Sequence, residues 1–153
     1  MRNGIIIVDH GSRREESNRM LARVAELFAE RFRGRYSIVE PAHMELAEPS
    51  IATAYTRCVE RGAQRVVVCP FFLGPGKHWT QDIPNLTAQA AARFPDTRYH
   101  VAQTLGIDDL ILDLLDKRAS HCVENDFVCD VCRGTKRSGE CGDGSCETVA
   151  RSA

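Results

Sequence analysis

A run of four consecutive β-branched residues, Ile5-Ile6-Ile7-Val8, opens this chain almost at its first residue. An unbroken apolar run of this length, here within residues 4–9, fits a strand covered on both faces, and sheets covered on both faces are characteristically parallel. Parallel neighbours cannot be joined by a tight hairpin; each needs a crossover, usually a helix. The rest of the chain supplies them. From Glu15 to about Phe32 the residues Leu21, Val24, Leu27, Phe28 and Phe32 keep a helical period. Residues 36–39 read as a second strand. Glu48-Pro49-Ser50 marks a helix start with proline near the first helical position, and Ile51, Ala54, Tyr55, Cys58 and Val59 continue that helix until Gly62 stops it. Residues 65–69 form a third strand and 70–83 a long Gly/Pro/aromatic loop. A helix from near Pro84 to Phe94 and a short strand at 98–102 follow. Ile107, Leu110, Ile111, Leu114 and Leu115 then mark a fourth, amphipathic helix. The pattern predicts an α/β fold, a single doubly wound domain with a four-stranded parallel sheet, right-handed crossovers and the order 2-1-3-4. Its switch point lies between strands one and three, where such sheets bind ligands.

The 153 residues suffice for one well-cored domain. A balance of 20 basic against 21 acidic residues excludes a bulk electrostatic nucleic-acid binder. No apolar stretch approaches the roughly 20 residues of a bilayer span. The first strand begins almost at once, so no targeting segment is read here. A cytoplasmic location is expected, or a plastid where a transit peptide has been removed. After His121 the composition shifts to Gly, Ser, charge and cysteine, which cannot fold by apolar burial alone. Residues 1–121 therefore form the expected α/β domain and 122–153 an irregular cysteine-rich tail. Of seven cysteines, Cys58 and Cys69 fall in core elements, whereas Cys122, Cys129, Cys132, Cys141 and Cys146 crowd into the tail. In a reducing compartment such clustering points to metal rather than disulfides.

Two histidines stand just past apolar strands. His10 follows Ile5 to Asp9, and His78 closes the loop after Val66-Val67-Val68-Cys69. If the two strands are neighbours, both imidazoles lie over one sheet edge, and paired nitrogen donors suit a transition metal. In Asp9-His10-Gly11-Ser12-Arg13-Arg14, Gly11 permits a sharp turn and Ser12 is placed to cap the next helix. The same segment also reads as a plain strand-to-helix turn, and it lacks the glycines and lysine of a nucleotide phosphate loop. After strand two, Glu45 is a candidate hard-oxygen ligand or general base. Glu48 reads as the cap region of the next helix, and His43 as either a solvated loop residue or a ligand. Phe71, Phe72 and Trp79 could pack beneath the third loop or face a flat conjugated ligand. Arg13, Arg14 and Lys77 would suit a polyanionic rim.

Three segments, Val8 to Asn18, Val39 to Ser50 and Val66 to Pro84, together resemble the short, half-length class II tetrapyrrole chelatases. Within these the chain looks most like the sirohydrochlorin chelatases, and the plant-type ferrochelatases with a cysteine-rich tail. That resemblance implies a lyase inserting Fe²⁺ into sirohydrochlorin to give sirohaem, without ATP. It implies His10 as metal ligand and proton acceptor, His78 as second metal ligand, and Glu45 as the acidic residue contacting substrate or metal. Leu73, Gly74, Pro75, Gly76, Lys77 and His78 would line the macrocycle, with Ser12 and Arg13 also on the substrate side. A single lobe implies a homodimer enclosing the cleft, with no nucleic acid or membrane as partner. Cobalt insertion for cobalamin synthesis is the alternative within the same chemistry. A non-catalytic metal or iron–sulfur carrier is the alternative outside it.

In the tail, Cys129-x2-Cys132 is followed by Cys141 and Cys146, a spacing that fits Zn²⁺ or an iron–sulfur cluster equally. The plant-type resemblance implies a [2Fe–2S] cluster on Cys122, Cys129, Cys132 and Cys141. Cys146 is extra to that pattern.

Overall fold

The computed structural model describes residues 1–124. The elements run β1 (Asn3–Asp9), α1 (Glu15–Arg31), β2 (Ile38–His43), α2 (Ile51–Glu60), β3 (Arg65–Pro70), a π-type turn (His78–Asp82), α3 (Ile83–Ala91), β4 (Arg98–Val101) and α4 (Asp109–Glu124). The four strands form one sheet in the order β2-β1-β3-β4, every pair parallel. This is the predicted doubly wound topology. Two compact units divide the chain, Met1–Gly106 and Ile107–Ala153. In the second, α4 begins where the Asp108 carboxylate accepts the Leu110 N–H at 2.9 Å. The helix passes through Cys122 to Glu124, beyond the boundary expected after residue 121. Cys129, Cys132, Cys141 and Cys146, and whatever they bind, lie outside the described residues. No helix among the described residues is long and apolar enough to cross a membrane.

The register explains why Ile5 to Val8 of β1 are apolar without a break. Ile6 and Val8 join the core between the sheet and α2 and α3, together with Ala54, Tyr55, Cys58, Val66, Val68 and Ile83. Ile5 and Ile7 point to the opposite face, against Leu21 and Ala25 of α1. Cys58 is fully buried as expected, and burial pushes its thiol up to about 12. Cys69 is half-buried, its thiol also raised by burial.

Several local expectations shift. The second strand is not residues 36–39 but Ile38–His43, running through Pro41. Proline is tolerated there because β2 is an edge strand. Pro49 is not in the first turn of α2: it precedes the N-cap Ser50, whose hydroxyl accepts the Thr53 N–H. Glu48 lies in the cap region as read, its carboxylate held below its usual range first by the Ser50 N–H and then by the Thr53 hydroxyl. Ser12 does not cap α1. The N-cap is Arg14, and the Ser12 hydroxyl accepts the Arg14 N–H at 3.0 Å within the preceding turn.

The turn after β1 is fixed by Asp9 and Gly11. The Asp9 carboxylate accepts the Gly11 N–H at 2.9 Å. Gly11 has φ +85°, and a Cβ on it would lie 2.0 Å from the Glu45 carbonyl oxygen. No side chain fits, because the loop after β2 passes directly against this backbone. Gly11→Ala should lower stability by more than about 1 kcal/mol through positive φ and overlap together. Urea unfolding checks this; a wild-type midpoint would show that the two loops can separate freely.

Candidate active site

The three loops leaving the C-terminal ends of β1, β2 and β3 meet at one edge of the sheet, as a parallel arrangement dictates. The β1–β2 pairing extends past the strands: Met44 N–H donates to Asp9 O at 2.8 Å and Glu45 N–H to His10 O at 3.1 Å. That backbone ladder sets Glu45 opposite His10. His10 Nε2 stands 2.7 Å from Glu45 Oε1, and its Nδ1 is 3.1 Å from the Gly11 carbonyl. Leu46, immediately after, has φ 67°, a left-handed conformation uncommon for leucine that turns the chain away from the pair.

His78 arrives from the third loop. Its ring centroid is 5.2 Å from that of His10, with 66° between the planes, and 6.3 Å from that of Phe72. The expected convergence of two imidazoles from separate loops is therefore present within one chain. Both rings are about half exposed, at 40% and 45% of the side chain. The loop itself is tied down from β4: Trp79 Nε1–H donates to Ala102 O, and Leu105 and Gly106 N–H groups donate to Phe72 and Leu73 carbonyls. Trp79, half-buried, thus has its indole N–H engaged in tying the loop to the chain after β4. The span read as loop over 70–83 is wound from His78 onward, which carries His78 on a turn and not on a flexible tip.

An open hollow of about 610 Å³ lies beside the pair, lined by Met44, Glu45, Lys77, His78, Asp82, Asn85 and Leu86. Of the residues expected at the substrate, Glu45, Lys77 and His78 line it. Leu73, Gly74, Pro75 and Gly76 stand exposed on the adjoining loop, and half-buried Ser12 and exposed Arg13 lie on the turn after β1; none of these lines the hollow. Leu46, Phe71 and Leu73 are exposed large apolar side chains on the same loops.

His43 is neither solvated nor directed at the hollow. It is 2% exposed, and its Nδ1 lies 2.6 Å from Asp9 Oδ1, the oxygen that also holds Gly11. Two acidic residues escaped the sequence reading: Asp9 in this buried pair, and Asp82, whose Oδ2 is 2.8 Å from His78 Nδ1. The spacing His78…Asp82 signals a pair only if the segment is helical, and Pro75-Gly76 just upstream argued for loop. Among the described residues no group of three His, Cys, Asp or Glu side chains closes around a metal site. The geometry offers two imidazoles, a carboxylate and open space beside them. Such a set can hold an ion briefly and accept protons, with room for a large ligand.

Comparison with known proteins identifies the family. The chain is 55% identical over 139 residues to the chloroplastic sirohydrochlorin ferrochelatase of Arabidopsis thaliana, covering 88% of this chain and 61% of that protein. An aligned stretch of that length runs past Cys132 from any starting point, so the similarity enters the tail. A sirohydrochlorin cobaltochelatase of Methanocaldococcus jannaschii is 43% identical over 82 residues, 54% of this chain and 56% of that one. Among solved structures, SirB from Bacillus subtilis with Fe³⁺ superposes with a TM-score of 0.72 at 30% identity, over 77% of this chain and 46% of SirB. The chain thus spans about half to three fifths of each of these relatives. The CbiX family profile matches residues 4–122, which takes in all four strands and the His10, Glu45 and His78 loops, and the chain belongs to the CbiX family.

Proposed function

We propose that this chain is a sirohydrochlorin ferrochelatase, a lyase that inserts Fe²⁺ into sirohydrochlorin without ATP. The observation that carries the reading is the meeting of His10 and His78, 5.2 Å apart, beside a hollow edged by Glu45. Metallation exchanges two pyrrolic protons for one divalent ion, so the site needs a donor that holds the ion and an acceptor for protons. A single imidazole nitrogen cannot do both at once. Two imidazoles and a carboxylate divide the work in sequence: the His10–Glu45 pair takes the two pyrrolic protons one after the other and passes each through the half-exposed Glu45 carboxylate to water, and His10 and His78 serve as metal ligands. Leu46, Phe71 and Leu73 supply apolar surface for a flat ring, and Lys77 with Arg13 supplies charge for its carboxylates. Leu73 to Gly76, with Ser12, complete the substrate side once the macrocycle covers the loops. Holding ring and ion together supplies the proximity advantage.

Iron is favoured over cobalt by the plant relative, whose similarity extends into the tail, whereas the archaeal cobaltochelatase aligns over 82 residues only. Mixing protein, sirohydrochlorin and Fe²⁺ or Co²⁺ without oxygen, and following the macrocycle absorption, tests the assignment. Iron insertion is expected, with His10→Ala and His78→Ala each losing about 100-fold or more. Insertion of cobalt alone would move the reading to a cobaltochelatase; near-normal turnover by both variants would overturn the site.

Because the chain matches 46% of the SirB chain, we infer that a second copy supplies the facing lobe. Sedimentation should give a dimer at micromolar concentration; a monomer that still metallates would refute this.

The tail, residues 122–153, forms the second functional part of the proposal. The donor set fits a [2Fe–2S] cluster: Cys122 is a half-buried free thiol on α4, and Cys129, Cys132, Cys141 and Cys146 follow within 25 residues. Cys122, Cys129, Cys132 and Cys141 are the proposed ligands. Anaerobically purified protein should absorb in the visible range and contain iron and sulfide in equal amounts. Colourless protein with stoichiometric zinc would make the tail a zinc site. The chloroplastic location of the plant relative favours a plastid over the cytoplasm as the place of work.

A further inference from the structure

The two imidazoles at the site differ in which nitrogen a carboxylate engages. At His10 the carboxylate of Glu45 meets Nε2, whereas at His78 the carboxylate of Asp82 meets Nδ1, at 2.8 Å. An ionised carboxylate only accepts, so the facing nitrogen must carry the proton. A neutral imidazole has one N–H; with that proton on Nδ1, the lone pair of His78 is on Nε2. No hydrogen bond engages this Nε2 among the described residues. A free imidazole side chain in water prefers the opposite tautomer, with the proton on Nε2.

Resting on the chelatase reading, we propose that Asp82 is a positioning residue for metal delivery. It fixes the tautomer and ring orientation of His78 so that Nε2 presents an open lone pair to the incoming ion. The local winding makes this possible. His78 and Asp82 begin and end one π-type turn, four residues apart, so the two side chains fall on the same side. The turn runs straight into α3, whose Ile83 and Thr87 are fully buried, so Asp82 is anchored at a rigid junction. Asp82 itself lines the hollow, with 31% of its side chain exposed. At 2.8 Å from Nδ1 it is close enough to act through His78. His78 is therefore the first foothold for the ion. His10 joins once Glu45 gives up its Nε2. A carboxylate behind a metal-binding histidine orients the ring and strengthens its donor nitrogen, and loss of such a partner typically weakens metal affinity by about 10–100-fold.

The test uses the full-length chain, with Asp82→Ala and Asp82→Asn beside the wild type. Ring-nitrogen NMR of histidine-labelled, metal-free protein reads the His78 tautomer directly, assigned by the His78→Ala spectrum. Titration with excess Zn²⁺, followed at those same nitrogens, reads ligation without interference from thiolates elsewhere. Wild-type His78 should show Nδ1–H and Zn²⁺ binding at Nε2. Asp82→Ala should shift His78 toward the Nε2–H form and raise the KM for the metal roughly 10–100-fold, with kcat and sirohydrochlorin affinity within about twofold. Asp82→Asn, which keeps an acceptor oxygen, should restore the tautomer and part of the metal affinity. The assignment is overturned if Asp82→Ala leaves both the tautomer and the metal KM unchanged. It is equally overturned if that variant weakens metal and macrocycle alike, as plain damage to the fold would. Failure of the wild type to metallate sirohydrochlorin would remove the chelatase reading alone. The tautomer and Zn²⁺ titrations would still decide what Asp82 does to His78.

Discussion

β1 has no solvent-facing side. Ile6 and Val8 are gripped by the layer of α2 and α3, Ile5 and Ile7 by α1, and the backbone is hydrogen-bonded on both edges to β2 and β3. A strand held from four directions cannot slip its register, because a one-residue shift would exchange the side chains of its two faces. Its last residue, Asp9, is therefore delivered to a fixed point. From that point one carboxylate oxygen organises two loops at once, binding the Gly11 N–H ahead of it and the His43 ring across the sheet. The position of His10 follows first from the central strand, and the Glu45 contacts to its carbonyl and ring then hold it there.

Three carboxylate–imidazole pairs sit within this one edge, and burial sorts their roles. Asp9–His43 is closed from water on the histidine side and serves as a brace between loops. His10–Glu45 and His78–Asp82 are open enough for their partners to exchange with an incoming ligand. The same chemical pair thus braces the loops where the ring is enclosed, and in the proposed reaction it would be the exchanging pair where the ring stays open. Gly11 connects the two regimes, since its missing Cβ lets the backbone carrying Glu45 pass within contact distance.

The alternation of elements, the parallel sheet and the partnership of His10 with His78 were legible in the chain, because each rests on a strong local signal: an unbroken β-branched run, helical periodicity, or a histidine directly after a strand. What escaped depends on tertiary placement. Pro41 hides the length of β2 until β2 is known to be an edge strand. Pro75-Gly76 masks the turn that pairs His78 with Asp82, so a contact four residues apart went unread. His43 looked like one more loop histidine because nothing in its neighbours reveals burial. Ser12 had the right chemistry for a helix cap but sits two residues ahead of the N-cap Arg14, so its hydroxyl serves the approach to α1 instead.

For the proposed reaction the openness of the site matters as much as its donors. A closed set of three or four protein ligands would bind the ion tightly and oppose its transfer to the macrocycle. Here, among the described residues, two imidazoles stand apart by 5.2 Å and no third donor closes the set. The remaining coordination positions would be left to water and to the ring nitrogens, so the protein would not compete with the macrocycle for the whole ligand set. Glu45 favours the same transfer, because the carboxylate that engages His10 before the ion arrives can take up a proton as the ring gives one up. The half-exposed imidazoles, the incomplete ligand set and the unenclosed hollow are then requirements of a protein whose metal must leave with its product.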